Sequence, residues 1–180
     1  MLTLLNRLKG DVALMQAYQR GDASAFECLY HRHKDGLYAC LFRHCQRPAA
    51  VEELAQDTWM AVVDRAASYR VEARFRTWLY QIAHNRLADF WRRRDNRHSP
   101  LDPASEPLAM DSPADGEDLS RQLLDAIGKL PGEQRDALLL REQGFSQRDI
   151  AAITGAGEET VKSRLRYARK QLRQQLGGDL

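Results

Sequence analysis

Apolar positions along this chain recur every three or four residues and nowhere every two. Phe26, Leu29, Tyr30, His33, Leu37, Tyr38, Leu41 and Phe42 fall on one helical face at that spacing. A shorter helix over Val12–Arg20 precedes them. Gly21 ends it, and Asp22 is placed to cap the next. Pro48 suits a helical first turn, and Leu54, Thr58, Ala61 and Val62 carry that helix forward. A fourth helix begins near Arg76 and runs through Leu79, Ile82, Ala83, Leu87 and Phe90 into the basic run Trp91-Arg92-Arg93-Arg94.

The C-terminal stretch reads the same way. Leu119–Lys129 forms a helix, and Pro131 opens another that Gly144 stops. Ser146-Gln147-Arg148-Asp149 has the form of a capping box, with Asp in the usual place of Glu. It predicts a short helix over Gln147–Ile153, then the turn Thr154-Gly155-Ala156-Gly157, then a longer helix from Glu158 to about Gln175. Short helix, glycine-bearing turn and longer helix is the order of a helix-turn-helix. Between the two halves lies DNRHSPLDPASEPLAMDSPADGED, which holds four of the six prolines and no helical periodicity. The expected fold is therefore all-α: two small helical domains, residues 1–94 and 119–180, joined by a flexible acidic linker over 95–118.

Charge follows this division. Residues 1–94 carry 15 basic and 10 acidic side chains, residues 95–118 carry Arg97 against seven acids, and residues 119–180 carry 11 against eight. Two basic blocks flanking an acidic one favour a polyanionic partner. No apolar run approaches the ~18–20 residues of a membrane span. The N-terminus, MLTLLNRLKGD, lacks the basic start and cleavage site of a signal peptide. Cys28, Cys40 and Cys45 are too few for a disulfide framework, so a reduced, cytoplasmic protein is expected. The spacing of these cysteines with His31, His33 and His44 matches no standard zinc signature, and no metal or other cofactor is expected.

On the last helix Val161, Leu165, Ala168 and Leu172 share a core face, and the opposite side is polar and basic. A major groove admits a helix, and its base edges suit Arg, Lys, Ser and Glu. Glu159, Lys162, Ser163 and Arg166 are the base-reading candidates, and Arg164, Arg169, Lys170 and Arg173 suit phosphate. FSQRDIAAITGAGEETVKSRLRYARKQL, preceded by LPGEQRDALLLREQG, resembles region 4 of sigma-70-family transcription factors, within the extracytoplasmic-function class. GDASAFECLYHRH, VEELAQDTW and FRTWLYQIAHNRLADFWRRR resemble successive parts of region 2. The segment before VEELAQDTW departs from the family, reading Cys45-Gln46-Arg47-Pro48 where an Asp is usual.

The resemblance implies a promoter-selecting subunit of RNA polymerase, with promoter DNA as second partner and an anti-sigma factor as third. Glu52, Glu53, Gln56 and Asp57 match the polymerase-docking helix; an acidic helix in a basic block suits a cationic protein partner. Tyr69, Arg74, Arg76, Asn85, Arg92, Arg93 and Arg94 form the −10 set. Aromatics beside cations hold single strands, an amide reads a base edge, and clustered arginines neutralise phosphate. Glu159, Thr160, Lys162, Ser163, Arg164, Arg166 and Lys170 form the −35 set. Two other readings stay open on the residues alone: a stand-alone helix-turn-helix regulator that does not join polymerase, and a metal-dependent sensor or enzyme using the His and Cys side chains.

Overall fold

The structure is a computed structural model that describes Asn6 and residues 8–97 and 115–177. The expected linker falls mostly outside the described residues. Among those described there is no strand. The α-helices are α1 (Asp11–Gln19), α2 (Ala23–Cys45), α3 (Pro48–Asp64), α4 (Phe75–Arg97), α5 (Asp115–Gly128), α6 (Gly132–Glu142), α7 (Gln147–Thr154) and α8 (Glu158–Gln175). A 3-10 turn, Ala66–Ser68, links α3 to α4. Helix α4 continues to Arg97 and α5 starts at Asp115, so regular structure reaches into both ends of the segment read as linker.

The helix ends follow local hydrogen bonding. Asp22 accepts from the Ser24 amide at 3.1 Å and caps α2. Asn6, fully buried, donates to both Asp22 and Ser24 at that cap. Gln46 takes the left-handed conformation, φ 52°, and turns the chain sharply before Pro48 starts α3. The capping box at α7 is complete. The Ser146 hydroxyl accepts from the Asp149 amide, and the Asp149 carboxylate accepts from the Ser146 amide, both at 3.1 Å. Gly155, φ +69°, then makes the turn into α8, whose first residue is Glu158; a side chain at that φ is strained.

Helices α1 to α4 form the N-terminal bundle. Leu14, Leu29, Leu37, Val51, Val62, Phe75 and Leu79 fill its centre with almost no exposure. Helices α5 to α8 form the C-terminal unit, where Ile127, Leu130, Leu138, Leu139 and Ala168 make a small core of their own. Other buried apolar side chains of that unit, Ala137, Leu140, Phe145, Ile150, Ile153, Val161 and Leu165, belong to one cluster with the core of the N-terminal bundle. The two units are therefore packed on each other rather than held apart, with α7 against α4 and α6 against α2. No helix is long and apolar enough to cross a membrane among the described residues.

Candidate nucleic-acid and partner interfaces

Helix α8 presents Val161, Leu165 and Ala168 inward, as the apolar spacing requires. Glu159, Thr160, Lys162, Arg166 and Lys170 are exposed, and Ser163 is half-buried at the edge of the same face. Lys162 lies 3.5 Å from Glu159, and the Arg166 guanidinium rests over the Tyr167 ring at 5.1 Å. Such surface contacts are weak enough to yield to a nucleic acid. Arg164 differs. Its guanidinium pairs with Glu133 of α6 at 2.7 Å, and its side chain is 19% exposed. It braces α8 against α6.

The −10 candidates divide into three groups. Gln81, Asn85, Ala88 and Arg92 succeed one another along the solvent side of α4, with exposed Arg74 just before the helix begins. Arg92 pairs with Asp89 at 2.5 Å, and Arg93 donates to the Asp89 carbonyl at 3.4 Å. Arg94 lies within α4, and its side chain is outside the described residues. Tyr69 lies off this stripe. It is 3% exposed, its hydroxyl donates to the Ala73 carbonyl at 2.6 Å, and its ring packs 5.2 Å from Trp78 and 6.2 Å from Phe75. It closes the loop before α4. Arg76 points away from the solvent stripe toward the C-terminal unit, where it donates to the Gln143 carbonyl and covers the Phe145 ring at 4.3 Å.

On α3, Glu52, Glu53 and Gln56 are exposed and Asp57 is half-buried. The helix starts at Pro48, so none of these acids sits in its first turn, and neutralising the helix N-terminus does not account for them. Glu52 and Gln56 border an open groove between α2 and α3. Tyr30 and Tyr38 on one wall and Met60 and Val63 on the other leave large apolar surface in water, with Trp59 at the base. The groove itself is not apparent in the sequence, although the apolar positions Met60 and Val63 close to the acidic ones are its signal.

A charged cluster joins the two units. His44 on α2 donates from Nε2 to Asp136 of α6 at 3.1 Å and from Nδ1 to the Cys40 carbonyl at 2.8 Å. His84 on α4 donates to the second Asp136 oxygen at 3.2 Å. Both partners of His44 are acceptors only, so both its ring nitrogens carry protons and the ring is a cation. Burial alone lowers the pKa of His44; its bonds to Asp136 and Cys40 outweigh that and push it up to about 9. Burial likewise opposes the Asp136 charge, and the two histidines prevail, holding its carboxyl well below the usual range. Positions 44, 84 and 136 share no sequence spacing that predicts this meeting.

Comparisons with known proteins cover both units. The family model described as Sigma-70 region 2 matches residues 29–97, and the one described as Sigma-70, region 4 matches residues 120–172. The RNA polymerase sigma factor CarQ of Myxococcus xanthus is 31% identical, over 91% of this chain and 95% of its own. The ECF RNA polymerase sigma-E factor of Haemophilus influenzae is 30% identical, over 90% and 93%. Among solved structures, CnrH in complex with the cytosolic domain of CnrY matches with a TM-score of 0.75 and 25% identity, covering 96% of this chain and all of that one. The sigma factor RpoE in complex with the anti-sigma factor NepR, from Bartonella quintana, matches with a TM-score of 0.75 and 28% identity, over 86% and 98%.

Proposed function

This chain belongs to the sigma-70 family, in its extracytoplasmic-function class, and from that premise we propose how its surfaces divide the work of promoter selection. The protein binds core RNA polymerase and directs it to particular promoters. Residues 1–94 act as region 2, residues 119–180 act as region 4, and 95–118 connect them. The observation that carries this reading is the order of the two matched regions on one chain, aligned over nearly the whole length of two sigma factors.

Polymerase docks on α3. Glu52, Glu53, Gln56 and Asp57 supply charge that steers a basic partner into register, and the apolar floor beside Trp59 supplies the area that holds it. Arg74, Arg76, Asn85, Arg92, Arg93 and Arg94 take the melted −10 strand, with Tyr69 closing the loop before them. Asn85 sits where a base edge meets an exposed amide, and the arginines offset phosphate charge; flipping a base costs a few kcal/mol that these contacts must return. Region 4 reads −35 as duplex through Glu159, Thr160, Lys162, Ser163, Arg166 and Lys170. The protein acts in the cytoplasm by binding, without covalent chemistry of its own. An anti-sigma factor restrains it, as both solved relatives were captured with such a partner or a cytosolic partner domain.

Run-off transcription tests the assignment. Purified protein is added to sigma-free core polymerase with a library of upstream fragments from its own genome. Start sites that appear only with the protein are expected. Failure to bind polymerase at all refutes the reading in favour of a stand-alone regulator.

A further inference from the structure

Three arginines outside both DNA-facing sets converge at the end of the N-terminal bundle where α4 begins. Arg20 follows α1, Arg65 follows α3, and Arg70 opens the loop that runs into α4. These distant positions meet because the Gln19 side chain donates to the carbonyls of Ala66 at 2.8 Å and of Tyr69 at 3.2 Å. The backbone beneath each guanidinium is held by its own bond. The Arg20 amide donates to the Ala17 carbonyl at 3.1 Å, the Ser68 hydroxyl to the Arg65 carbonyl at 2.7 Å, and the Ala73 amide to the Arg70 carbonyl at 3.3 Å.

All three side chains are exposed. Among the described residues none of them is bonded to a carboxylate or a carbonyl, whereas Arg32, Arg141 and Arg164 each are. The neighbouring acids leave the rim cationic. Asp11 is taken by Arg32 and His33, Asp64 borders the groove between α2 and α3, and Glu72 is one charge in the loop against three. Cations gathered from three elements repel one another, and a bound polyanion relieves that cost. The rim is also continuous with the stripe of α4, because Arg74 stands between Arg70 and the helix that carries Asn85. A strand whose base is held at Asn85, and which leaves past the start of α4, meets Arg74 and then this rim.

We propose that Arg20, Arg65 and Arg70 form a second, sequence-independent phosphate site on region 2, which holds the unpaired promoter strand beyond the base captured at Asn85. The ligand is the sugar-phosphate backbone of single-stranded DNA, since guanidinium groups there neutralise phosphates and reach no base edge in a groove. Gln19 is the positioning residue, because it sets the end of α1 against the turn between Arg65 and Arg70. This rests on the assignment of Asn85 and α4 to the melted −10 strand. The site strengthens the hold on DNA that is already open and leaves −35 recognition alone.

The test uses holoenzyme, the full chain on core polymerase, and two forked DNAs built on a promoter found by run-off transcription. Both are duplex through −35. In one the unpaired strand ends at the captured base; in the other it continues for about six nucleotides, within the span such surfaces cover. Fluorescence anisotropy across a salt series reads both affinities. The longer strand should bind more tightly, and Arg20→Gln with Arg65→Gln should remove that gain while leaving the shorter fork unchanged. Each lost contact lowers the salt slope by about 0.7, the single-strand value per phosphate, and so costs about fivefold at about 0.1 M salt. Arg20→Lys with Arg65→Lys keeps the charges and should retain most of the gain. Gln19→Ala, which removes no charge, should give the same length-dependent loss in smaller measure. Equal losses on both forks mark a general charge effect and overturn the proposal. So does the absence of any loss, or a loss just as large when the extra nucleotides are paired, which makes the rim a duplex contact. Asn85→Ala tests the premise separately: it should weaken both forks, and if it weakens neither, the −10 assignment fails whatever the rim does.

Discussion

Tyr69→Phe separates a structural tyrosine from a DNA-stacking one. The ring is 3% exposed and packed against Phe75 and Trp78, and the hydroxyl makes one hydrogen bond, to the Ala73 carbonyl at 2.6 Å. Phenylalanine keeps the ring contacts and removes the donor. The net value of such a bond is about 1 kcal/mol. For a protein of this size that corresponds to a melting temperature lower by about 2–4 °C. Tyr69→Ala removes the ring as well, and costs about 3–5 kcal/mol as the aromatic cluster loses its third member. Thermal unfolding followed by circular dichroism measures both. Open-complex formation, followed by permanganate reactivity of unpaired thymines at 25 °C, measures the functional side. Tyr69→Phe should leave promoter opening within about fivefold of the original protein, since only about 1 kcal/mol is at stake even if the whole loss fell on that step. A tenfold loss of opening with an unchanged melting temperature would refute the burial argument and return Tyr69 to the DNA surface.

Four further outcomes follow from the same geometry. Asn85→Ala, on the exposed stripe of α4, impairs open-complex formation and spares duplex binding; equal loss of both, or of neither, removes Asn85 from the base pocket. Arg166→Ala costs ~1–3 kcal/mol of discrimination at one −35 base pair in a binding-site selection, whereas Arg164→Ala lowers stability in urea titrations through its lost pairing with Glu133; a uniform affinity loss across sequences would make Arg166 a phosphate contact. Glu52→Lys slows association with core polymerase, most at low ionic strength; a rate independent of both charge and salt would place docking elsewhere. The His44–Asp136 contact makes stability pH-dependent. The raised pKa of His44 means that its contribution is complete below about 6.5 and is lost as pH rises through about 9. The lowered pKa of Asp136 means that its contribution is complete above the ordinary carboxylate value of 3.8 and is lost only in stronger acid. Melting temperature should therefore fall between pH 6.5 and 9.5, and His44→Gln should flatten that slope; an equal slope in both proteins would show that the imidazolium is not the group responsible.

Legibility differed sharply between residues of one element. On α8, the inward set Val161, Leu165 and Ala168 and the outward set Glu159, Lys162 and Arg166 are where helical spacing places them. Arg164 is in the same helix, but its orientation depends on Glu133, which belongs to α6. On α4, Asn85 and Arg92 lie on the solvent side, while Arg76 and Tyr80 face Phe145 across the contact between units. Sequence periodicity distinguishes an inner from an outer face. It does not distinguish a face toward water from one toward a second domain.

The amino-acid sequence by itself determined the all-helical class, the start of α7 and the glycine turn into α8. It also determined the basic face of that helix. The capping box closes within four residues and Gly155 adopts its left-handed conformation locally, so neither depends on distant chain. Only the tertiary structure decided that Tyr69 is buried, that Arg76 is covered and that an apolar groove opens beside Glu52. It alone brought His44, His84 and Asp136 together across 92 and 52 residues of chain. Hydrogen bonds within a helical turn follow from neighbours in sequence. Burial and ion pairing between helices follow from which surfaces meet, and that is a property of the packed whole.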